Sequence, residues 1–146
     1  MTEPNGAAAG VRISDDLGEL DRELVHRWLS EQSYWAVGRE RERQDAAIDG
    51  SWNFGAYDAA TGAQLGYARV VTDRATFAWL CDVFVDPDAR GRGVGVALVA
   101  DVVERLRTLG LRRIMLATAD AHGLYAKFGF EPISQPERWM ALPLES

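Results

Sequence analysis

The sequence predicts one α+β domain built in three layers, a mixed and mostly antiparallel sheet flanked by helices, and three observations carry that prediction. Apolar residues recur with period two through three consecutive segments between Trp52 and Val85, and the turn residues Thr61-Gly62 and Asp73-Arg74 separate them into an antiparallel meander. Val94, Leu98, Val102, Leu106 and Leu109 then repeat at helical spacing and lead into a further apolar run, which makes one connection a parallel crossover. The length of 146 residues, 47% of them hydrophobic, is that of one ordinary domain with a core to bury.

Taken in order, residues 1–10 lack a basic stretch followed by a long apolar run, so they read as a flexible tail rather than a signal peptide, with the domain over 11–146. Val11 to Ser14 is a short strand. Ser14-Asp15-Asp16 offers capping oxygens to a helix marked by Leu17, Leu20, Leu24, Trp28 and Leu29. Tyr34 to Gly38 breaks that pattern, Arg39 to Ile48 makes a second and strongly charged helix, and Asp49-Gly50 ends it. Trp52, Phe54 and Ala56 open the meander, Gln64 to Thr72 continues it, and Thr76 to Val85 completes it with Phe77, Trp79, Cys81, Val83 and Val85 expected on one face. After the long helix, stopped at Gly110, come a strand from Arg113 to Thr118, a short helix from Ala121 to Phe128 closed by Gly129, and a last strand from Trp139 to Leu144.

Charge and cysteine content narrow the function classes. A net charge of −6 argues against a general nucleic-acid binder, which needs a basic face. No stretch has membrane-spanning length, and the single cysteine, Cys81, excludes a disulfide framework and a cysteine-rich metal site. A cytoplasmic, reducing location fits, as a monomer or a homodimer.

The richest segment is the turn that joins the third meander strand to the long helix, Val85-Asp86-Pro87-Asp88-Ala89-Arg90-Gly91-Arg92-Gly93-Val94-Gly95-Val96. The first N–H groups of a helix have no internal partner and lie at the positive end of its dipole, so glycines there let an anion reach backbone amides. A P-loop is excluded because no lysine plus hydroxyl follows, and a dinucleotide fingerprint fails because Val96 or Leu98 stands where its last glycine belongs. The pattern Arg90-x-x-Gly93-x-Gly95, entered through Val85-x-Pro87, resembles the coenzyme A pyrophosphate loop of the GCN5-related N-acetyltransferase (GNAT) superfamily; the residues alone also allow a helix start with incidental glycines. About thirty residues on, Tyr125-Ala126-Lys127-Phe128-Gly129-Phe130 is similar to the superfamily pattern Tyr-x-Lys-x-Gly-Phe on its short helix, and the likeness runs from Trp52 to Pro132.

That resemblance implies an acetyl-CoA-dependent N-acetyltransferase, moving acetyl to a primary amine of a small molecule or peptide by direct attack, with no metal. It implies that backbone atoms of Val83 and Val85 pair with the pantetheine arm, that amides around Phe84 and Val85 polarise the thioester carbonyl, and that Gly91, Arg92, Gly93, Val94, Gly95 and Val96 hold the diphosphate with Arg90. Tyr125 becomes the general acid for the departing thiolate; packing of its ring is the alternative. Asp82, Asp120 and His122 stay open as bases, against bland roles as an ion-pair partner, an N-cap and a surface residue. The segment between the first two strands implies an acceptor wall. Here Ser33-Tyr34-Trp35 with Arg39 resembles a bacterial subgroup of small members. Trp35, Arg39, Trp79 and His122 are the acceptor candidates, with Trp35 and Trp79 open between boxing an amine and packing, and Arg39 or Arg74 open between an acceptor carboxylate and a helix-face ion pair. A non-catalytic acyl-CoA-binding module is the competing reading.

Overall fold

The computed structural model describes residues 10–144; residues 1–9, the bulk of the expected tail, lie outside them. Five strands form one sheet in sequence order: β1 (Val11–Ser14), β2 (Trp52–Asp58), β3 (Gln64–Thr72), β4 (Phe77–Val85) and β5 (Arg113–Met115). The first three pairings are antiparallel and β4 with β5 is parallel, as the crossover demands. Helices α1 (Arg22–Gln32) and α2 (Arg41–Asp49) cover one face, while α3 (Val94–Arg107) and α4 (His122–Ala126) cover the other.

Each face has its own core. Phe54, Ala68, Val70 and Leu80 meet Leu98 and Leu106 of α3, all of them buried. Val25, Trp28 and Leu29 of α1 and Ile48 of α2 meet Tyr67 and Phe84 from the opposite side. The capping expectation holds with shifted roles: Asp16 caps a 3-10 turn at Leu17–Glu19, and Asp21 caps α1 by accepting from the Leu24 amide at 3.0 Å. Asp15 instead accepts from the indole of Trp52 and pairs with Arg105.

On β2, Gly55 has a packing reason. A Cβ there would overlap the Tyr57 hydroxyl, because that side chain folds back across the strand. Tyr57 is 3% exposed and its hydroxyl finds no partner among the described residues, while burial pushes its pKa up to about 12.

Two expected strands come out differently. β5 stops at Met115, short of Thr118. Trp139 to Leu144 forms no strand: after a 3-10 turn at Pro136–Arg138 it pairs with none of the described strands, and Met140, Leu142 and Leu144 are 96%, 81% and 87% exposed. Alternating apolar residues make a strand only where a ladder partner accepts their backbone groups. Among the described residues no helix is long and apolar enough to cross a membrane.

Candidate active site

The site begins with a fault in the β3–β4 ladder. Tyr67 pairs with Phe84 and Arg69 with Cys81, so Ala68 alone faces both Asp82 and Val83, and Asp82 takes φ +53°. This is a β-bulge, and it corrects the expectation that Phe77, Trp79, Cys81, Val83 and Val85 share a face. The extra residue resets the alternation. Ala78 and Leu80 enter the α3-side core before the bulge and Val83 and Val85 enter it afterwards, while Phe84 turns to the α1 side. Phe77, Trp79 and Cys81 are left half-buried or exposed on the face away from α3. The β5 ladder ends at Trp79 opposite Met115, so β4 runs on to Val85 without that neighbour and a gap opens between the two strands.

The glycine loop lies at the end of this gap. Asp86 caps a 3-10 turn at Pro87–Ala89, Gly91 and Gly93 adopt φ +88° and +78°, and Gly93 is the N-cap of α3. The first helical bond runs from Ala97 N–H to Gly93 O, which leaves the amides of Val94, Gly95 and Val96 without a protein partner among the described residues. A Cβ on Gly91 would meet nothing within 4 Å, so the approach to these amides is open. The two loop arginines separate. Arg92 reaches Asp58 on the β2–β3 hairpin at 3.3 Å, whereas Arg90 bends back over the end of β4, 5.9 Å above the Phe84 ring and 3.4 Å from Val85 O.

Tyr125 sits on α4, 8% exposed, with its ring edge-on to Phe130 at 5.9 Å, so packing is part of its role. Its hydroxyl makes no hydrogen bond among the described residues; burial, followed by the fields of Tyr34 and Asp120, pushes its pKa up to about 12. Lys127 is exposed, Phe128 is buried, and Gly129 at φ +96° closes the helix. Asp120 does not cap α4. The first residue outside the helix is Ala121, and the Thr118 hydroxyl accepts from the Ala121 and Asp120 amides. His122 stands exposed at the start of α4.

Across the sheet, Asp82 gathers two of the four acceptor candidates, Trp35 and Arg39, and does not bond Trp79 or His122. Its side chain is 2% exposed and accepts from Trp35 Nε1 at 2.8 Å, Arg39 Nη1 at 2.8 Å and Arg69 Nε at 2.9 Å. Burial alone would raise its pKa, but the bond from Arg39 and the charge of Arg69 together hold it below the usual carboxylate range. Asp82 is thus a saturated carboxylate tied to arginine, the bland role foreseen for it. Arg39 also donates to Gln44 Oε1 at 2.9 Å, and Arg69 to Ser51 Oγ at 3.1 Å. Arg74 lies over the Trp52 ring at 3.9 Å, away from this cluster.

The Ser33-Tyr34-Trp35 run becomes intelligible as a strap. Ser33 Oγ donates to Leu29 O and accepts from Ala36 N, Gly38 N donates to Ser30 O, and His26 Nε2 donates to Arg39 O. Tyr34 Oη accepts from Ala119 N at 2.8 Å beyond β5, while Trp35 binds Asp82 on β4, so consecutive residues bridge the two strands that diverge. Sequence reasoning missed Arg69, Gln44 and the Tyr34 contact. No local signal marks bonds that span 43 or 85 residues.

Comparison with known proteins places the chain. The model of the acetyltransferase (GNAT) family matches residues 22–130. A protein from Xanthomonas campestris pv. campestris, assigned to that family, is 43% identical with a TM-score of 0.88 over 94% of this chain and 96% of its own. A Gibberella zeae protein named as an acetyltransferase is 32% identical over 125 residues, 82% of this chain and 69% of that one. Against other curated acetyltransferases the chain spans half of their length or less. The fold is shared with an N-acetylglutamate synthase from Neisseria gonorrhoeae, solved with coenzyme A and N-acetyl-glutamate, at TM-score 0.70 and 21% identity over 90% of this chain and 30% of that one.

Proposed function

The chain belongs to the acetyltransferase (GNAT) family, and on that premise we propose that it is an acetyl-CoA-dependent N-acetyltransferase acting on a primary amine of a small molecule or peptide. The observation that carries this reading is Tyr125 on α4, a residue 8% exposed whose hydroxyl has no hydrogen-bond partner among the described residues and whose pKa burial pushes up to about 12.

The residues present fit coenzyme A. The unpartnered amides of Val94, Gly95 and Val96, with Gly91, Arg92 and Gly93 before them, suit a diphosphate, and Arg90 is the loop arginine without an acidic partner. Val83 and Val85 offer the unpaired edge of β4 to the pantetheine arm, and the amides at Phe84 and Val85 are the donors for the carbonyl oxygen. Acetyl-CoA supplies an activated acyl group whose C–S bond breaks as the amine nitrogen bonds to the carbonyl carbon. Tyr125 Oη holds a proton through neutral pH and is the donor for the sulfur. Asp82, bonded to Trp35, Arg39 and Arg69, positions the bulge, and the amine proton leaves to water. Trp35, Arg39 and Trp79 are the acceptor-side residues in this reading, with exposed His122 at the start of α4 as a further candidate.

Calorimetric titration with acetyl-CoA, followed by a free-thiol assay over amines, polyamines, amino acids and peptides, tests this reading. Binding with turnover on an amine is expected. Tight binding without turnover on any acceptor overturns it in favour of a sensing module.

A further inference from the structure

The Asp82 cluster is unbalanced. Two guanidiniums share one carboxylate, and their side chains are only 18% and 15% exposed. Among the described residues, Asp82 is the ion-pair partner of both Arg39 and Arg69, and no other carboxylate pairs with either. Burial pushes the Cys81 thiol up to about 11, so it is neutral and supplies no counter-charge. One positive charge is therefore held largely out of water without an acidic partner, an arrangement that costs stability unless something else neutralises it.

Donor bookkeeping points the same way. Arg39 spends Nη1 on Asp82 and Gln44, and Arg69 spends Nε on Asp82 and Nη1 on Ser51. Arg39 Nε and Nη2 and Arg69 Nη2 have no partner among the described residues. Gln44 is 0% exposed and its Nε2 is also unpartnered, although its Oε1 is fixed by Arg39. A fully buried amide with an idle donor is rare in folded proteins.

We propose that the acceptor amine carries a carboxylate and that Arg39, Arg69 and the Gln44 amide form the subsite that reads it. This rests on the acetyltransferase reading and narrows its acceptor class. Planar guanidiniums in a partly dehydrated site suit a carboxylate, which completes the charge balance. Arg69 pairs with Cys81 on the sheet face away from α3, the face that also carries the half-buried Trp79. The strap fixes the geometry further. Trp35 touches the cluster, while its neighbour Tyr34 reaches across to Ala119 and acts on Tyr125, so one strap contacts both the carboxylate subsite and the segment that leads into the proton donor's helix.

The test has two arms on the intact chain. In the first, N-acetylglycine and N-acetylglycinamide are titrated separately against the ¹⁵N-labelled protein, following the Trp35 indole N–H and the Arg39 and Arg69 Nε–H signals. Saturable shifts of these signals with the acid but not the amide are expected, and are lost in Arg69→Gln; equal shifts with both probes, or none with the acid, overturn the proposal. In the second, kcat/KM is compared for amino acids and dipeptides against their C-terminal amides. The free acids are expected to lead by about ten- to a hundredfold, the worth of a charged hydrogen bond, and Arg69→Gln to erase that lead while Arg69→Lys keeps part of it. A merely structural Arg69 lowers all rates together and leaves the ratio unchanged, which also overturns the proposal. Acetyl-CoA titration monitored at the Val94 to Val96 amides reports separately on the acetyltransferase reading: if those signals do not move, that reading fails, and the carboxylate arm still decides this one.

Discussion

Replacing Asp82 by Asn keeps the shape of the side chain but removes the charge on which Trp35, Arg39 and Arg69 converge. Removing one partner of a buried ion pair costs about 3–5 kcal/mol, and because the arginines keep 15–18% exposure the lower end applies. A loss of about 3 kcal/mol in a domain of this size lowers the melting temperature by about 10 °C. Differential scanning calorimetry of wild type and Asp82→Asn at neutral pH measures it. The pH dependence gives an internal check. Asp82 has a folded pKa below its unfolded value, so its contribution is complete above the unfolded value of about 4 and fades as pH falls through the folded one. The gap between the two proteins is therefore expected to be widest near pH 7 and to narrow as the pH falls below the unfolded value of about 4. A variant that melts within a degree or two of wild type, or a gap that stays constant on acidification, refutes the clamp.

The other expectations concern the loop, the tyrosines and the thiol. Tyr125→Phe lowers kcat by about 10²- to 10⁴-fold with acetyl-CoA affinity unchanged. Since Tyr125 keeps its proton up to about 12, the wild-type rate has no alkaline limb from this group near neutral pH; a pH–rate profile checks both. Gly93→Val forces a β-branched residue to φ +78°, which destabilises by about 1–2 kcal/mol and weakens acetyl-CoA binding more than tenfold by calorimetry; unchanged affinity excludes the cradle. Tyr57→Phe removes a buried hydroxyl that has no partner and stabilises the domain by about 1 kcal/mol in chemical denaturation. Cys81, with its pKa raised by burial to about 11 from 9.0, carries about a hundredfold less thiolate than a free cysteine and reacts slowly with a disulfide reagent at pH 8, as absorbance kinetics will show.

Much of this was legible in the chain because the decisive signals were local. The Gly91 and Gly93 pair announced its left-handed backbone, the turn residues fixed the meander, and Tyr125 stood in a motif of six residues. The bulge was not legible. Phe77, Trp79, Cys81, Val83 and Val85 alternate without a break in sequence, and only the pairing of β3 shows that Asp82 is an extra residue. The same holds for the cluster, where Arg39 stood open between an acceptor carboxylate and a helix-face ion pair, and only the fold shows that its partner is Asp82 on β4. Trp139 to Leu144 failed for the converse reason, as a local pattern with no ladder partner among the described strands.

The extra residue at Asp82 also divides β4 into two cassettes in opposite phase. Upstream, odd-numbered side chains lie on the face away from α3; downstream, odd-numbered ones join the α3-side core and the outer backbone edge is left unpaired among the described strands. The two cassettes still share a core, because Ala78 and Leu80 from the first pack on the α3 side with Val83 and Val85 from the second. Neither can change length by one residue, since deleting Asp82 would turn Val83 and Val85 toward α1 and Phe84 toward α3. A graft that replaces β4 up to Cys81 therefore has to keep the bulge residue, or every side chain after it changes face.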